Sequence, residues 1–184
     1  MKKKSFSSEI PALYLPIGML QEGALVALDE TERRHARALR LRDGDQVTIL
    51  DGRGLRATGR IREESGHRRD EPLHVVIERS VLEDPVGGLY IALASGLLED
   101  RSRFESLVEK GVELGCNAFF PFDAERSTGR FRRDRCERIA IAALKQSQRA
   151  YLPVIGDPID IAGILALSQD YDRVVVCHED PARQ

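Results

Sequence analysis

The chain has 184 residues, 42% of them apolar and 32% charged, with a formal net charge of −2. That balance belongs to a globular chain able to bury one large core or two small ones. No apolar run approaches the roughly 20 residues of a membrane span, and no apolar segment of secretory-signal type follows Met1-Lys2-Lys3-Lys4. Cys116, Cys136 and Cys177 are odd in number and lack metal-ligand spacing, which points to thiols in a reducing cytoplasm and to no metal site.

From about Tyr14 to Val81 the sequence predicts short strands around one short helix. Asp29 and Glu32 have the spacing of a capping box for a helix over Thr31–Arg40. Asp43-Gly44-Asp45 turns the chain into a strand over Val47–Leu50, and Asp51-Gly52-Arg53-Gly54 turns it again into Leu55–Ile61. Leu73–Val81 is a further strand, and strands joined by glycine turns suggest a small barrel. Glu83–Gly88 reads as a linker.

After the linker the rhythm alternates: strand Leu89–Ala94, helix Arg103–Leu114, strand Ala118–Phe122, helix Arg135–Ala150, helix Ile159–Leu167 and strand Arg173–Cys177. Such alternation predicts a mostly parallel sheet with helices on its faces. Phe104, Leu107, Val108 and Val112 recur at helical spacing and mark a buried face. Ser102 and Glu105 suggest a capping box, and Gly115 a C-terminal stop. Pro158 after Asp157 suggests the first turn of the third helix. The division expected is 1–82, a linker over 83–88, and 89–184.

Charge is segregated. Between Thr31 and Arg62 stand Arg33, Arg34, Arg37, Arg40, Arg42, Arg53, Arg56, Arg60 and Arg62 against four acids, and Arg126–Arg149 is basic as well. Arg33, Arg37 and Arg40 are spaced by four and three, so a helix would place them on one face, with Arg42 just beyond. Guanidinium forks match phosphate oxygens, so this face suits a nucleic-acid backbone, although solvated arginines look the same. Lys110 and Glu113 are three apart, as an intrahelical pair or as parts of a site. Gln146 and Arg149 near the end of the next helix leave the same two readings open. Glu125-Arg126-Ser127 follows a buried strand, where α/β sheets place ligands.

Three blocks carry a resemblance: His35–Asp45 with Val47–Gly54; Glu109-Lys110-Gly111-Val112-Glu113-Leu114-Gly115 with Glu125-Arg126-Ser127; and Ile139–Arg149 followed by Pro153. In order and spacing the sequence resembles the SPOUT-superfamily methyltransferases that modify N3 of a uridine in 16S ribosomal RNA. The resemblance implies a PUA-like RNA-binding β domain (1–82) before a SPOUT α/β domain (89–184). It also implies S-adenosylmethionine as methyl donor, 16S ribosomal RNA or the small subunit as partner, and a homodimer.

It further implies that Arg126 is catalytic, stabilising the negative charge left when the N3 proton departs, with Glu125 orienting it. Lys110, Glu113 and Gln146 would support that site, and Arg33, Arg37, Arg40, Arg42 and Arg149 would contact RNA. The family's Gly-Pro-Glu-Gly-Gly and Leu-Gly-x-Arg segments are absent from these 184 residues, so a chain truncated before its cofactor pocket is expected. Gln148 stands where relatives often have glycine. A non-catalytic RNA-binding module is the alternative, and an enzyme acting on a small anionic metabolite is a third reading that lacks a Gly-x-Gly-x-x-Gly motif.

Overall fold

A computed structural model describes residues 10–16, 21–63, 72–84, 88–97, 100–124 and 129–177. Strands β1 (Ala12–Tyr14), β2 (Leu25–Ala27), β3 (Gln46–Leu50), β4 (Leu55–Glu63) and β5 (Leu73–Leu82) form one sheet in the order β1-β3-β4-β5-β2. β1 lies parallel to β3, and the other neighbours are antiparallel. Among the described residues β1 and β2 are not paired to each other, and the small barrel expected from the turns takes the form of a half-barrel sheet.

Helix α1 (Glu30–Ala38) starts at Asp29, whose Oδ1 accepts from the Glu32 N–H at 2.8 Å. The capping box is only half made, because the Glu32 carboxylate turns away to Lys145.

From Val47 to Leu50 β3 is buried on both faces, with Thr48 the one polar side chain in that run. Val47 and Ile49 join Leu13, Leu15, Ala36, Ile61 and Val75 in a core within the N-terminal sheet. Leu50 and Ala12 point the other way and pack with Val108, Val112, Phe119 and Leu144 of the second unit. Side-chain alternation along β1 and β3 thus divides one strand pair between two cores.

In the second unit β6 (Ala92–Gly96) and β7 (Ala118–Asp123) are parallel, and β8 (Val154–Ile155) and β9 (Ile159–Asp160) share the far edge of β7. Pro121 sits inside β7 yet has no N–H to give. β8 pairs with residues up to Phe119 and β9 resumes at Phe122, so the break on that side falls at the proline. Helices α2 (Arg101–Leu114) and α3 (Arg133–Ser147) cover the sheet, burying Phe104, Val108 and Val112 from one and Cys136, Ala140, Ala143 and Leu144 from the other. Leu107 is half-buried.

The structure corrects four sequence expectations. Asp100, not Ser102, caps α2: its carboxylate accepts from the Ser102 N–H at 2.9 Å and from its hydroxyl at 2.6 Å. A carboxylate is the stronger acceptor at a helix N-terminus, and these bonds lower the Asp100 pKa. Glu105 is thereby free to pair with Arg135 at 3.2 Å.

The third helix, α4 (Ile161–Leu167), starts after Asp160 rather than Asp157, because Ile159 and Asp160 are taken up in pairing with β7. α1 ends at Ala38, before Arg40. Finally, 173–177 is not a strand: Val174, Val175 and Val176 are exposed and join no ladder among the described residues. β-branched composition favours a strand only where a neighbour offers a ladder.

Gly111 lies on the α2 face that meets β7, and a Cβ there would come within 2.5 Å of the Phe119 ring. Helix propensity alone would make Gly111→Ala stabilising by ~1 kcal/mol. The contact reverses that sign: urea unfolding should show a net loss of about 1–3 kcal/mol, the range of overpacked cores.

Candidate functional site

The residues singled out above fall into three groups. Glu125, Arg126 and Ser127 follow the end of β7 and lie outside the described residues. A second group surrounds the C-terminal end of α2. Lys110 Nζ donates to Glu109 at 2.8 Å and to both Glu113 oxygens at 3.1 Å. The Glu109 bond, then the Glu113 bond, raises the Lys110 pKa, so this amine stays a cation rather than a base. Arg149 Nε and Nη2 both donate to the Glu113 carbonyl, at 3.2 and 3.1 Å. That carbonyl is one of the orphan acceptors of the α2 terminus, where positive charge is favoured. Arg149 thus spends two of its donors on a helix end, and Gln146 is exposed one turn before it.

The third group is on and after α1. Arg37 is exposed; Arg33 is half-buried, and its Nε is buried without a hydrogen-bond partner among the described residues. Arg40 does not share their face. It follows the helix in left-handed backbone, φ 59°, while Leu41 N–H returns to the Ala36 carbonyl and Arg40 N–H to that of Arg37. This is the Schellman arrangement, and its left-handed position ordinarily belongs to glycine. Its side chain is exposed, as is that of Arg42, whose N–H is held by Asp45 Oδ2 at 2.7 Å.

The structure adds a junction that local sequence patterns do not reveal. The residues after α3 lie on the β3–β4 hairpin: Gly54 N–H donates to the Ala150 carbonyl and Leu152 N–H to that of Gly52, both at 2.9 Å. A Cβ at Gly54, φ 105°, would collide with the Tyr151 hydroxyl, which donates to the Glu83 carbonyl at 2.6 Å. Arg56 binds the Glu83 carboxylate and the Gln148 backbone carbonyl. Glu83 is therefore engaged in packing rather than in a free linker.

Gln148 is left-handed, φ 52°, so it keeps the backbone a glycine would adopt. Its side chain donates to the Ile10 carbonyl at 3.1 Å and accepts from Arg56 at 3.3 Å. A cleft of about 260 Å³ opens here, bordered by Arg56, Glu83, Cys116, Asn117, Gln148 and Arg149. Among the described residues no cluster of His, Cys, Asp and Glu could hold a metal. Cys136 is buried, and desolvation pushes its thiol up to about 11.

Removing the left-handed side chain at Arg40 should stabilise the fold. Arg40→Gly is expected to gain about 1 kcal/mol in urea unfolding by relieving positive-φ strain.

An RNA methyltransferase domain family model matches residues 88–184, and an RNA methyltransferase PUA domain model matches residues 28–68. The chain is 29% identical over 173 residues to ribosomal RNA small subunit methyltransferase E of Bacillus subtilis (strain 168), covering 90% of this chain and 66% of that protein. It is 32% identical to the protein of the same description from Synechocystis, covering 86% of this chain and 52% of that one. The chain therefore spans between about half and two thirds of these relatives. A crystal structure of the Neisseria gonorrhoeae methyltransferase E bound to S-adenosyl methionine superposes with a TM-score of 0.72 at 28% identity, covering 85% of this chain and 65% of that one.

Proposed function

Since the chain belongs to the RNA methyltransferase domain family, with that family's PUA domain ahead of it, we propose that it serves S-adenosylmethionine-dependent methylation of N3 of a uridine in 16S ribosomal RNA. The observation that carries this reading is the pairing of the two matched domains in one chain, with an arginine-bearing helix on the first held against the second. We assign the substrate-binding part to residues 1–82 and the methyltransferase part to residues 89–184, working in the cytoplasm and as a homodimer.

N3 is engaged when a uridine is paired, so the target base must be exposed to the enzyme. Loss of the N3 proton leaves an anion shared with the two flanking carbonyl oxygens. Arg126 is the residue proposed to face that charge, oriented by Glu125; it stabilises the anion without taking the proton. Lys110 stays a cation beside Glu109 and Glu113, and with Glu113 and Gln146 it is assigned to shaping the site's helical wall. Arg33, Arg37, Arg40, Arg42 and Arg149 are assigned to phosphate contacts, which position an RNA without reading its bases.

S-adenosylmethionine presents an adenine edge, a ribose diol and a charged amino-acid end, each needing polar partners. A cavity of about 470 Å³ beside Phe120, Gly156, Ile159 and Leu167 is mainly apolar, with Asp157 and Asp170 on its wall. It does not supply that set of partners.

The test is transfer of labelled methyl from S-adenosylmethionine to 16S ribosomal RNA or small subunits, followed by digestion to nucleosides. Label in N3-methyluridine is the expected result. Arg126→Gln should then lower kcat by ~10²–10³-fold, the usual effect of losing one donor to a developing anion. Tight RNA binding with no transfer would favour the alternative, a non-catalytic RNA-binding module.

A further inference from the structure

One ion pair in the junction differs from all the others. Lys145 Nζ on α3 donates to Glu32 Oε1 on α1 at 2.7 Å, with side-chain exposures of 14% and 3%. Every other ion pair among the described residues has at least one partner more than 30% exposed. The second Glu32 oxygen is buried with no hydrogen-bond partner among the described residues, and so is Nε of the neighbouring Arg33.

Burying a carboxylate with half its acceptors unfilled is costly, and an apolar pair of similar volume would ordinarily serve stability as well or better. What an apolar contact does not supply is direction. A buried ion pair has one favourable geometry, so it fixes how two surfaces are set against each other.

The geometry matters because the other polar ties of the junction reach different parts of the N-terminal unit: Gln148 donates to the Ile10 carbonyl, and the rest gather at the hairpin. Arg56, Glu83, Gly52 and Gly54 meet residues 148–152 at the hairpin. Glu32 instead anchors α1, whose next residues carry Arg33 and Arg37. We infer that the Glu32–Lys145 pair is a positioning device that orients the α1 arginine helix on the methyltransferase domain, so that the two present one continuous surface to RNA. This rests on the RNA-methyltransferase reading above.

Two binding surfaces held in a fixed relation engage one ligand far better than the same surfaces free to turn. Neither Glu32 nor Lys145 needs to touch RNA for this effect.

The test separates orientation from stability. In the full chain, Lys145→Arg keeps the charge and offers a second donor to the unfilled Glu32 oxygen, so it should hold wild-type melting temperature and wild-type affinity for a 16S ribosomal RNA transcript. The double variant Glu32→Leu with Lys145→Met replaces the pair by apolar contact. It should melt close to wild type yet bind that transcript ~10-fold more weakly, with the salt dependence unchanged because every arginine remains.

Wild-type RNA affinity in the double variant would overturn the inference. If the double variant does not fold, Lys145→Gln is measured instead by amide exchange. Faster exchange confined to 30–38 and 141–147 supports the device, and exchange raised equally in β6, β7 and α2 overturns it. That readout needs no RNA. Should the unsubstituted protein bind no ribosomal RNA, the functional reading fails while amide exchange still decides whether the pair orients α1.

Discussion

Everything else in this molecule depends on the seating of residues 148–152 against the β3–β4 hairpin. Two backbone hydrogen bonds, Gly54 to Ala150 and Leu152 to Gly52, join segments about a hundred residues apart. Backbone bonds demand close approach, and side chains on the hairpin would prevent it; Gly54 leaves room for the Tyr151 ring. Once that seam is closed, Leu50 and Ala12 are sealed against α2 and α3, and one strand pair can serve two cores. Without it, β1 and β3 would expose an apolar face to water.

The charged groups follow from the same arrangement. Arg56 and Arg149, which a charge count places with the other arginines, both have donors committed inside the protein: Arg56 binds Glu83 and reaches across to Gln148, and Arg149 binds the end of α2 within the second unit. The arginines of α1 and the turn after it stand apart from that work, and Arg37, Arg40 and Arg42 are exposed. A basic surface and a basic seam are therefore built from one composition, and only the partners tell them apart.

Among the described residues two non-glycine positions accept left-handed backbone, and they do so for different ends. Gln148 uses its side chain at once, bridging the Ile10 carbonyl and Arg56 across the junction. Strain at that point is offset by bonds a glycine could not make. Arg40 has its side chain in solvent, so the cost of its conformation is not recovered by packing. Local rules are broken most often where function takes precedence.

Much of the architecture was legible in the sequence because it rests on short-range physics. The buried stripe Phe104, Val108 and Val112, the strand at Ala118, the stop at Gly115 and the change from hairpins to helix–strand alternation are all set by neighbours a few residues away. Where competing local partners existed, the pattern misled: Asp100 displaced Ser102 as a cap, and Arg40 fell beyond its helix. The valines at 174–176 carried strand propensity, but a strand exists only with a ladder to join. The sequence by itself determined the two kinds of domain, their order and the basic character of α1, because composition and periodicity act locally. Only the tertiary structure decided that Glu32 meets Lys145 and that Arg56 meets Gln148, since pairs 113 and 92 residues apart are chosen by how two cores pack together.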